Sequence, residues 1–321
     1  MVCYEFGVDD VARVRFAISP MWETAAAIRA LRDPSLIALH LPWMKEIGSE
    51  LEPLDLSPAY GLLPRHGYMA DFLTPPPSTP LADFEEELDL VRSTPTEQIR
   101  NDLELLVESG NSRESLRPYF DDPRGAVADL AELLETFWRR AVEPFWPRLH
   151  SMLEADLLYR SRRLTDGGVA LLLADLHPCM AWREGAIECE TAHTENVELA
   201  GRGILLVPSA FTCEKPSTMV EKPWQPTVIY PARGVGLLWE SASAPPETLA
   251  KVLGRSRAAL LNDLDAPRTT TDLAQRLEMT PGGVSQHLTA LRDSGLVSAR
   301  RNGRRVLYCR SPLADELVGA D

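Results

Sequence analysis

The sequence predicts an α+β chain in two parts. A mostly helical N-terminal body carries a small β-rich segment, and a compact run of helices closed by a β-hairpin follows it. Three observations predict this. Apolar residues recur at helical spacing through most of the first 165 positions, and between 180 and 240 the pattern turns strand-like. Charge also divides the chain. Residues 1–245 hold 22 Lys and Arg against 38 Asp and Glu, whereas residues 246–321 hold 11 against 9.

At 321 residues the chain is long enough for two domains, each with its own core. Hydrophobic content of 45% and charged content of 25% are those of an ordinary globular protein. No run of 18 apolar residues occurs, so no transmembrane helix and no membrane partner is expected. The start, "MVCYEFGVDDVARVRF", has early acids and no apolar stretch, which argues against a signal peptide. Five scattered cysteines make no disulfide framework and fit a reducing cytoplasm. The net charge of −14 argues against a nucleic-acid partner until its distribution is considered. Residues 268–310 carry 8 basic and 3 acidic side chains, the local asymmetry that attracts phosphates.

In chain order, "PMWETAAAIRALR" (20–32) reads as a helix, with Trp22, Ala26 and Ala30 spaced by four. "TPPPSTP" (74–80) reads as a surface connection, since proline cannot continue a helix or a central strand. Residues 82–92, 95–108, 113–120 and roughly 124–164 read as helical, the last divided by Pro144 and Pro147. The acidic run "DFEEELDL" reads as a solvated helix face. "CMAWREGAIECE" alternates around Arg183-Glu184-Gly185 as a hairpin does, and "VELAGRGILLVPSAFT" and "PTVIYPARGVGLLW" read as strands. The domain reading is therefore 1–240, helical over 1–175 and β-rich over 176–240, a small Pro-bearing linker at 241–247, and a C-terminal domain at 248–321.

That domain is the most informative part. "ETLAKVLGRSRAALLNDL" places Leu249, Val252, Leu253, Ala259, Leu260 and Leu264 at helical spacing. In "TTTDLAQRLEM" a threonine can cap a helix whose first turn holds Asp272 and whose inner side holds Leu273 and Leu277. Thr280 caps the next helix, Pro281 takes its first position, and Gly295 stops it. "LVSARRNGRRVLYCRS" then alternates about Asn302-Gly303, a strong hairpin signal. Helix, helix, short turn, helix and hairpin in that order make a winged helix-turn-helix.

If Val284, Leu288 and Leu291 are buried, Ser285, Gln286, His287, Thr289 and Arg292 face outward. That face is rich in hydrogen-bonding groups and lacks the Glu/Lys mixture of an idle solvated helix. Gln286 and Arg292 have donor geometry for base edges, while Ser285 and Thr289 suit bases or phosphates. Gly282 leaves room beside the helix N-terminus, where Thr280 and the free amides can meet a phosphate. Arg300, Arg301, Arg304 and Arg305 flank the hairpin turn, where a wing would touch the DNA backbone or the minor groove. For His287, internal packing and DNA contact both remain open.

Residues 256–311 resemble the winged-helix domain of the ArsR/SmtB family of bacterial transcriptional repressors, on the Ser-x-His-Leu-x-x-Leu-x-x-x-Gly-Leu-Val run from Ser285. The resemblance implies a homodimer joined by its flanking helices, with two recognition helices reading a palindromic operator in double-stranded DNA. "TTTDLAQRL" lacks the cysteines and histidines of the family's thiolate metal site, so no cofactor is expected. "VRFAISPMWETAAAIRALRDP" and "GRGILLVPSAFT", with "KPWQPTVIYPARGVGLLWE", resemble the uncharacterised domain found ahead of such winged helices in actinobacterial regulators. That implies a sensor or assembly role, with an unknown small-molecule effector as one form of signal.

Other constellations carry less. His177, Cys179, Cys189 and His193 have ligand types and spacings that a metal could use, and equally suit incidental positions on two strands. Trp22, Trp43, Phe72, Phe137, Trp138, Phe145, Trp146 and Trp182 could line an apolar pocket or fill a core. No nucleophile elbow, phosphate loop, dinucleotide fingerprint or His-Glu-x-x-His motif occurs, so no enzyme is expected. The reading is a cytoplasmic, dimeric, sequence-specific DNA-binding regulator, a repressor controlled through its N-terminal domain. The alternative is a ligand- or metal-binding protein with DNA binding secondary.

Overall fold

A computed structural model describes residues 1–65, 67–173, 176–190, 195–212, 215–239, 247–265, 267–277, 279–302 and 305–318. The elements run β1 Val2–Glu5, α1 Val8–Val11, β2 Arg15–Phe16, α2 Pro20–Ala30, α3 Pro34–Leu39, α4 Leu41–Leu51, α5 Ser57–Leu62, α6 Phe84–Arg92, α7 Thr96–Glu108, α8 Arg117–Asp121, α9 Pro123–Phe137 and α10 Trp146–Leu173. Strands β3 Met180–Arg183, β4 Ala186–Cys189, β5 Glu195–Glu198, β6 Leu205–Ser209, β7 Ser217–Met219 and β8 Thr227–Pro231 follow. The C-terminal part comprises α11 Glu247–Leu253, α12 Arg255–Asp263, β9 Arg268–Thr269, α13 Thr270–Arg276, α14 Pro281–Asp293, β10 Val297–Asn302, β11 Arg305–Arg310 and α15 Pro312–Val318. This is the α+β organisation expected from the sequence. The chain divides into two compact units, Met1–Trp146 with Asp156–Ala232, and Pro147–Ala155 with Arg233–Asp321. Residues 241–246 of the expected linker lie outside the described residues.

In the first unit two four-stranded sheets have the orders β3-β4-β1-β5 and β2-β6-β8-β7. β6 runs parallel to both β2 and β8, and every residue of Leu205–Ser209 is buried, as a strand covered on both faces requires. The hairpin read around Arg183 forms, with Met180 opposite Cys189 and Glu184 and Gly185 both at positive φ in its turn. Two strands lie within the stretch read as helical. β1 pairs antiparallel with β4 and parallel with β5, and β2 joins β6. Strands of four and two residues carry no usable period of their own and owe their form to their distant partners.

The breaks in the helices have local causes. Between α9 and α10 a π-turn (Trp138–Val142) and a 3₁₀ turn (Glu143–Phe145) absorb Pro144, whose nitrogen can donate no hydrogen bond. In this turn the Ala141 carbonyl accepts the indole N–H of Trp43, at 2.7 Å. In α10, non-helical Gly167 and Gly168 make a kink.

α2 is buried on nearly every side, so the groups at its N-terminus need internal partners. Ser19 caps the helix by accepting from the Trp22 N–H at 2.9 Å, while Glu87 accepts from the Met21 N–H at 2.8 Å and from the Ser19 hydroxyl at 2.7 Å. Glu87 belongs to the run read as solvated, yet it is 2% exposed. The solvated reading holds for Glu85 and Glu86 and fails at Glu87, which lies on the inward stripe with Phe84, Leu88 and Val91. One turn into α2, Glu23 accepts from the Ala210 N–H at 3.0 Å and fastens the end of β6.

Burial pushes the Glu87 carboxyl up to about 8 and that of Glu23 to about 7, against the hydrogen bonds that favour their anions. The folded state therefore binds these protons more tightly than the unfolded chain does. Their contribution is complete below the ordinary glutamate range and is lost as pH rises through 7 to 8. Thermal melts should show the first unit losing stability between about pH 5 and 8. Glu87→Gln, which keeps an acceptor for Met21 and cannot ionise, should make that loss shallower by several degrees. Parallel curves for the two proteins would mean that Glu87 ionises in the folded state as it does in water.

Candidate nucleic-acid interface

The second unit has its own core. Leu260, Leu261 and Leu264 from α12 and its C-cap meet Leu273 and Ala274 of α13, Val284, Leu288 and Leu291 of α14, and Leu296, Val297 and Ala314. The helical reading of 247–264 is broken at Gly254, whose φ of +82° separates α11 from α12. That break leaves Val252 exposed, although spacing had grouped it with buried residues.

α13 and α14 are each started by a threonine. Thr269 accepts from the Asp272 N–H at 3.2 Å, and Asp272 accepts in return from the Thr269 N–H at 3.0 Å, a reciprocal capping box. Thr280 accepts from the Gly283 N–H at 3.2 Å, and Pro281 stands at the first helical position. α14 ends where Gly295 takes a φ of +76°, which lets the Leu296 N–H return to the Leu291 carbonyl at 2.9 Å. With both ends fixed and the Val284-Leu288-Leu291 stripe buried, the opposite face is defined.

On that face Thr280, Gly282, Ser285, Gln286, Thr289 and Arg292 are exposed, and His287 is half-buried at the edge of the stripe. Gln286 engages no described residue. Arg292 lies 3.8 Å from Asp293 in a loose, exposed pair that costs little to break. The Thr289 hydroxyl donates to the Ser285 carbonyl at 2.9 Å, which leaves its lone pairs to receive a donor. A continuous strip of amide, hydroxyl and guanidinium groups thus stands along a rigid helix.

The hairpin pairs β10 with β11 from Val297 opposite Arg310 to Asn302 opposite Arg305. Arg300 stands opposite Leu307 and Arg301 opposite Val306, so these consecutive arginines point to opposite faces of the hairpin. They do not form one undivided cationic patch. Arg304 and the side chain of Arg305 lie outside the described residues. The spacing patterns also passed over Asp263, Arg268, Arg276 and Arg310. Asp263 is 4% exposed and takes the Arg276 Nε–H on both carboxylate oxygens, at 2.9 and 2.8 Å. A partner thirteen residues away leaves no periodic trace.

The hairpin in the first unit brings Cys179 and Cys189 close together, with the Cys179 N–H donating to His177 Nδ1 at 3.1 Å. Cys189 is wholly buried in the core beside Met180 and Ile187, and burial pushes its thiol up to about 11. His193 lies outside the described residues, and among those described no three His, Cys, Asp or Glu side chains are grouped to hold a metal ion. Trp22, Trp43, Phe72, Phe137 and Trp138 are core residues, with Trp138 stacked on Phe84 at 4.5 Å. Among the described residues no helix is long and apolar enough to cross a membrane.

Residues 259–299 match the family described as bacterial regulatory protein, arsR family. Residues 95–236 match a family of unknown function (DUF5937). Nothing among the curated proteins or the solved structures matches this chain. The C-terminal match spans α13, α14 and the start of β10, so the capped helix and its outward strip belong to an ArsR-family DNA-binding helix-turn-helix.

A Cβ added at Gly282 would meet nothing within 4 Å. Gly282→Ala should therefore stabilise the folded protein, by up to about 1 kcal/mol on helix propensity. The same methyl occupies the space at the helix N-terminus where a phosphate would approach, so DNA affinity should fall roughly tenfold, a change of about 1.4 kcal/mol. A variant that melts higher and binds DNA as tightly as the wild type would remove this end of α14 from the interface.

Proposed function

We propose that this DNA-binding transcriptional regulator, with its arsR-family domain at the C-terminus, works in the cytoplasm as a homodimeric repressor. Residues 248–321 form the domain that holds a palindromic operator. Residues 1–240 form a sensor or assembly domain on which a signal, such as a small-molecule effector, acts. The observation that carries the DNA-reading assignment is the outward strip of α14, fixed by caps at both ends and by three buried residues behind it.

Gln286 and Arg292 are assigned to base edges, because a carboxamide and a guanidinium each offer two polar atoms in one plane. Thr280, Ser285, Thr289 and the amides beside Gly282 are assigned to the sugar-phosphate backbone. His287, half-buried, is assigned to the edge of the contact. Arg300, Arg301, Arg304 and Arg305 are assigned to the wing. The separation of Arg300 and Arg301 onto two faces supports contacts along the groove wall in place of one cluster. The dimer is supported by apolar side chains left in solvent on the flanking helices, Val252 of α11 at 81% exposure and Leu313 and Leu317 of α15 at 54% and 42%. To read two half-sites one turn of B-DNA apart, the paired protomers must present their copies of α14 about 34 Å apart. A signal that alters this spacing would weaken both half-sites together, and promoter DNA would become accessible to polymerase.

Titration of the purified protein on DNA upstream of its own gene, with a scrambled duplex and varied salt, tests the reading. The wild type should prefer the upstream duplex. In the double variant Gln286→Ala with Arg292→Ala, that preference should fall by about 1–3 kcal/mol for each bidentate contact removed, at an unchanged melting temperature. If the preference survives in the double variant, the reading face has been assigned to the wrong side chains.

A further inference from the structure

We infer that the C-terminal end of α12 is a socket that sets the position of the wing, with Arg268 and Arg310 as its positioning residues. The inference rests on the proposed reading that the wing meets DNA phosphates, and it adds what holds the wing in place.

The last carbonyls of a helix have no partner within it, and they form the negative end of its dipole. At the end of α12 the Asp263 carbonyl is met by a guanidinium group from the three-stranded sheet of the second unit, ordered β10-β11-β9, and the Leu261 carbonyl, which also accepts the Leu264 N–H at 3.3 Å, is met by a second. Arg268, on β9, donates from Nε to the Asp263 carbonyl at 2.6 Å. Arg310, the last residue of β11, donates from Nη1 to the Leu261 carbonyl at 3.3 Å. Arg268 stands opposite Tyr308 across the sheet, and Arg310 follows Tyr308 by two, so both arginines leave the same face.

Each guanidinium is fixed from a second side. Arg268 reaches Asp265 at 2.9 Å and the Asp263 carboxylate at 3.5 Å, and Arg310 reaches Asp315 of α15 at 2.8 Å. Arg276, at the end of α13, completes the socket by binding both oxygens of Asp263. The side chains of Arg268 and Arg310 are only 11% and 15% exposed, and that of Asp263 is 3% exposed. Apolar packing alone would tolerate a sheet sliding over a helix end. Guanidinium N–H groups placed on particular carbonyls do not, so the arms of the wing are held at a fixed angle to α12. The recognition helix shares its apolar core with Val297 at the root of the wing, and the arginine contacts add a second, polar device that acts on the wing alone.

The test uses the full chain and two measurements. In Arg310→Gln, affinities for the upstream and scrambled duplexes should fall by the same factor, roughly tenfold. The slope of log affinity on log salt should shrink by about 1–2, reporting one or two phosphates no longer neutralised. The ratio between the two duplexes should not change. Arg310→Lys, which keeps a cation beside the Leu261 carbonyl, should recover most of the slope. Without DNA, hydrogen exchange in Arg310→Gln should quicken across Val297–Asn302 and stay unchanged in α14. An unchanged slope with unchanged exchange would overturn the inference. So would faster exchange in α14 together with loss of the duplex ratio, since Arg310 would then support the whole domain. A wild type whose DNA binding shows no salt dependence would overturn the DNA reading but not the positioning of the wing, which the exchange measurement tests without DNA.

Discussion

The burial of Val284, Leu288 and Leu291 is the constraint on which the C-terminal domain depends. Each is at most 1% exposed, and returning a side chain of this size to water costs about 1.5–3 kcal/mol. Rolling α14 about its axis by a single residue would lift part of this stripe into solvent and drive Ser285 or Thr289 into an apolar core. No hydrogen bond gained outside could repay that cost. The roll of the helix is therefore settled by its hidden side, and Gln286 and Arg292 are free to answer to a partner alone. The caps serve the same end along the axis. Thr280 and Gly295 fix where α14 starts and stops, and so fix the height at which each outward group stands.

The acidic first unit follows a different rule. Part of its complement of acidic side chains lies inside and joins chain segments. Glu87 ties α6 to the start of α2, Glu23 ties α2 to the end of β6, and Asp102 on α7 accepts the Phe72 N–H at 2.8 Å. Asp10 accepts the Gly203 N–H at 2.9 Å across 193 residues of sequence. Each satisfies a backbone donor that would otherwise be buried without a partner, at a penalty of about 1–3 kcal/mol. The excess of acids in residues 1–245 is thus partly internal carpentry, and net charge taken from composition overstates the field this unit presents to DNA.

How legible these features were depended on how local their causes are. α14 could be read residue by residue because cap, stripe and stop all lie within sixteen positions. The hairpin of β10 and β11 was legible for the same reason, although Asn302 pairs with Arg305 and closes the strand instead of standing in the turn, and so were the prolines that divide α9 from α10. β1 and β2 were not, because a strand of two to four residues is decided by its partner almost 200 positions away. Glu87 was hidden because three neighbouring acids look alike until one is seen to face inward. The break at Gly254 was missed because glycine is tolerated within helices, and only its positive φ reveals a stop. Arg300 and Arg301 were grouped by charge when strand alternation had already separated them.

The socket at the end of α12 also bears on how a dimer of this kind could be controlled. Arg310 grips α12 through the Leu261 carbonyl and α15 through Asp315, and α15 carries Leu313 and Leu317 in solvent. On the proposed reading, the helices that meet the second protomer are also the ones that hold the root of the wing. A shift of α15 against α12 would pull the two contacts of Arg310 apart, and its guanidinium could then keep only one of them. The wing would then tilt while α14, held by Leu288 and Leu291, kept its place in the core. Releasing a few phosphates at each half-site weakens binding to all sequences alike, and because both half-sites release them together, the effect on the dimer is squared. Control of this kind needs no movement of the reading face. It needs only that the root of the wing be polar and directional, and that is the chemistry found at the end of α12.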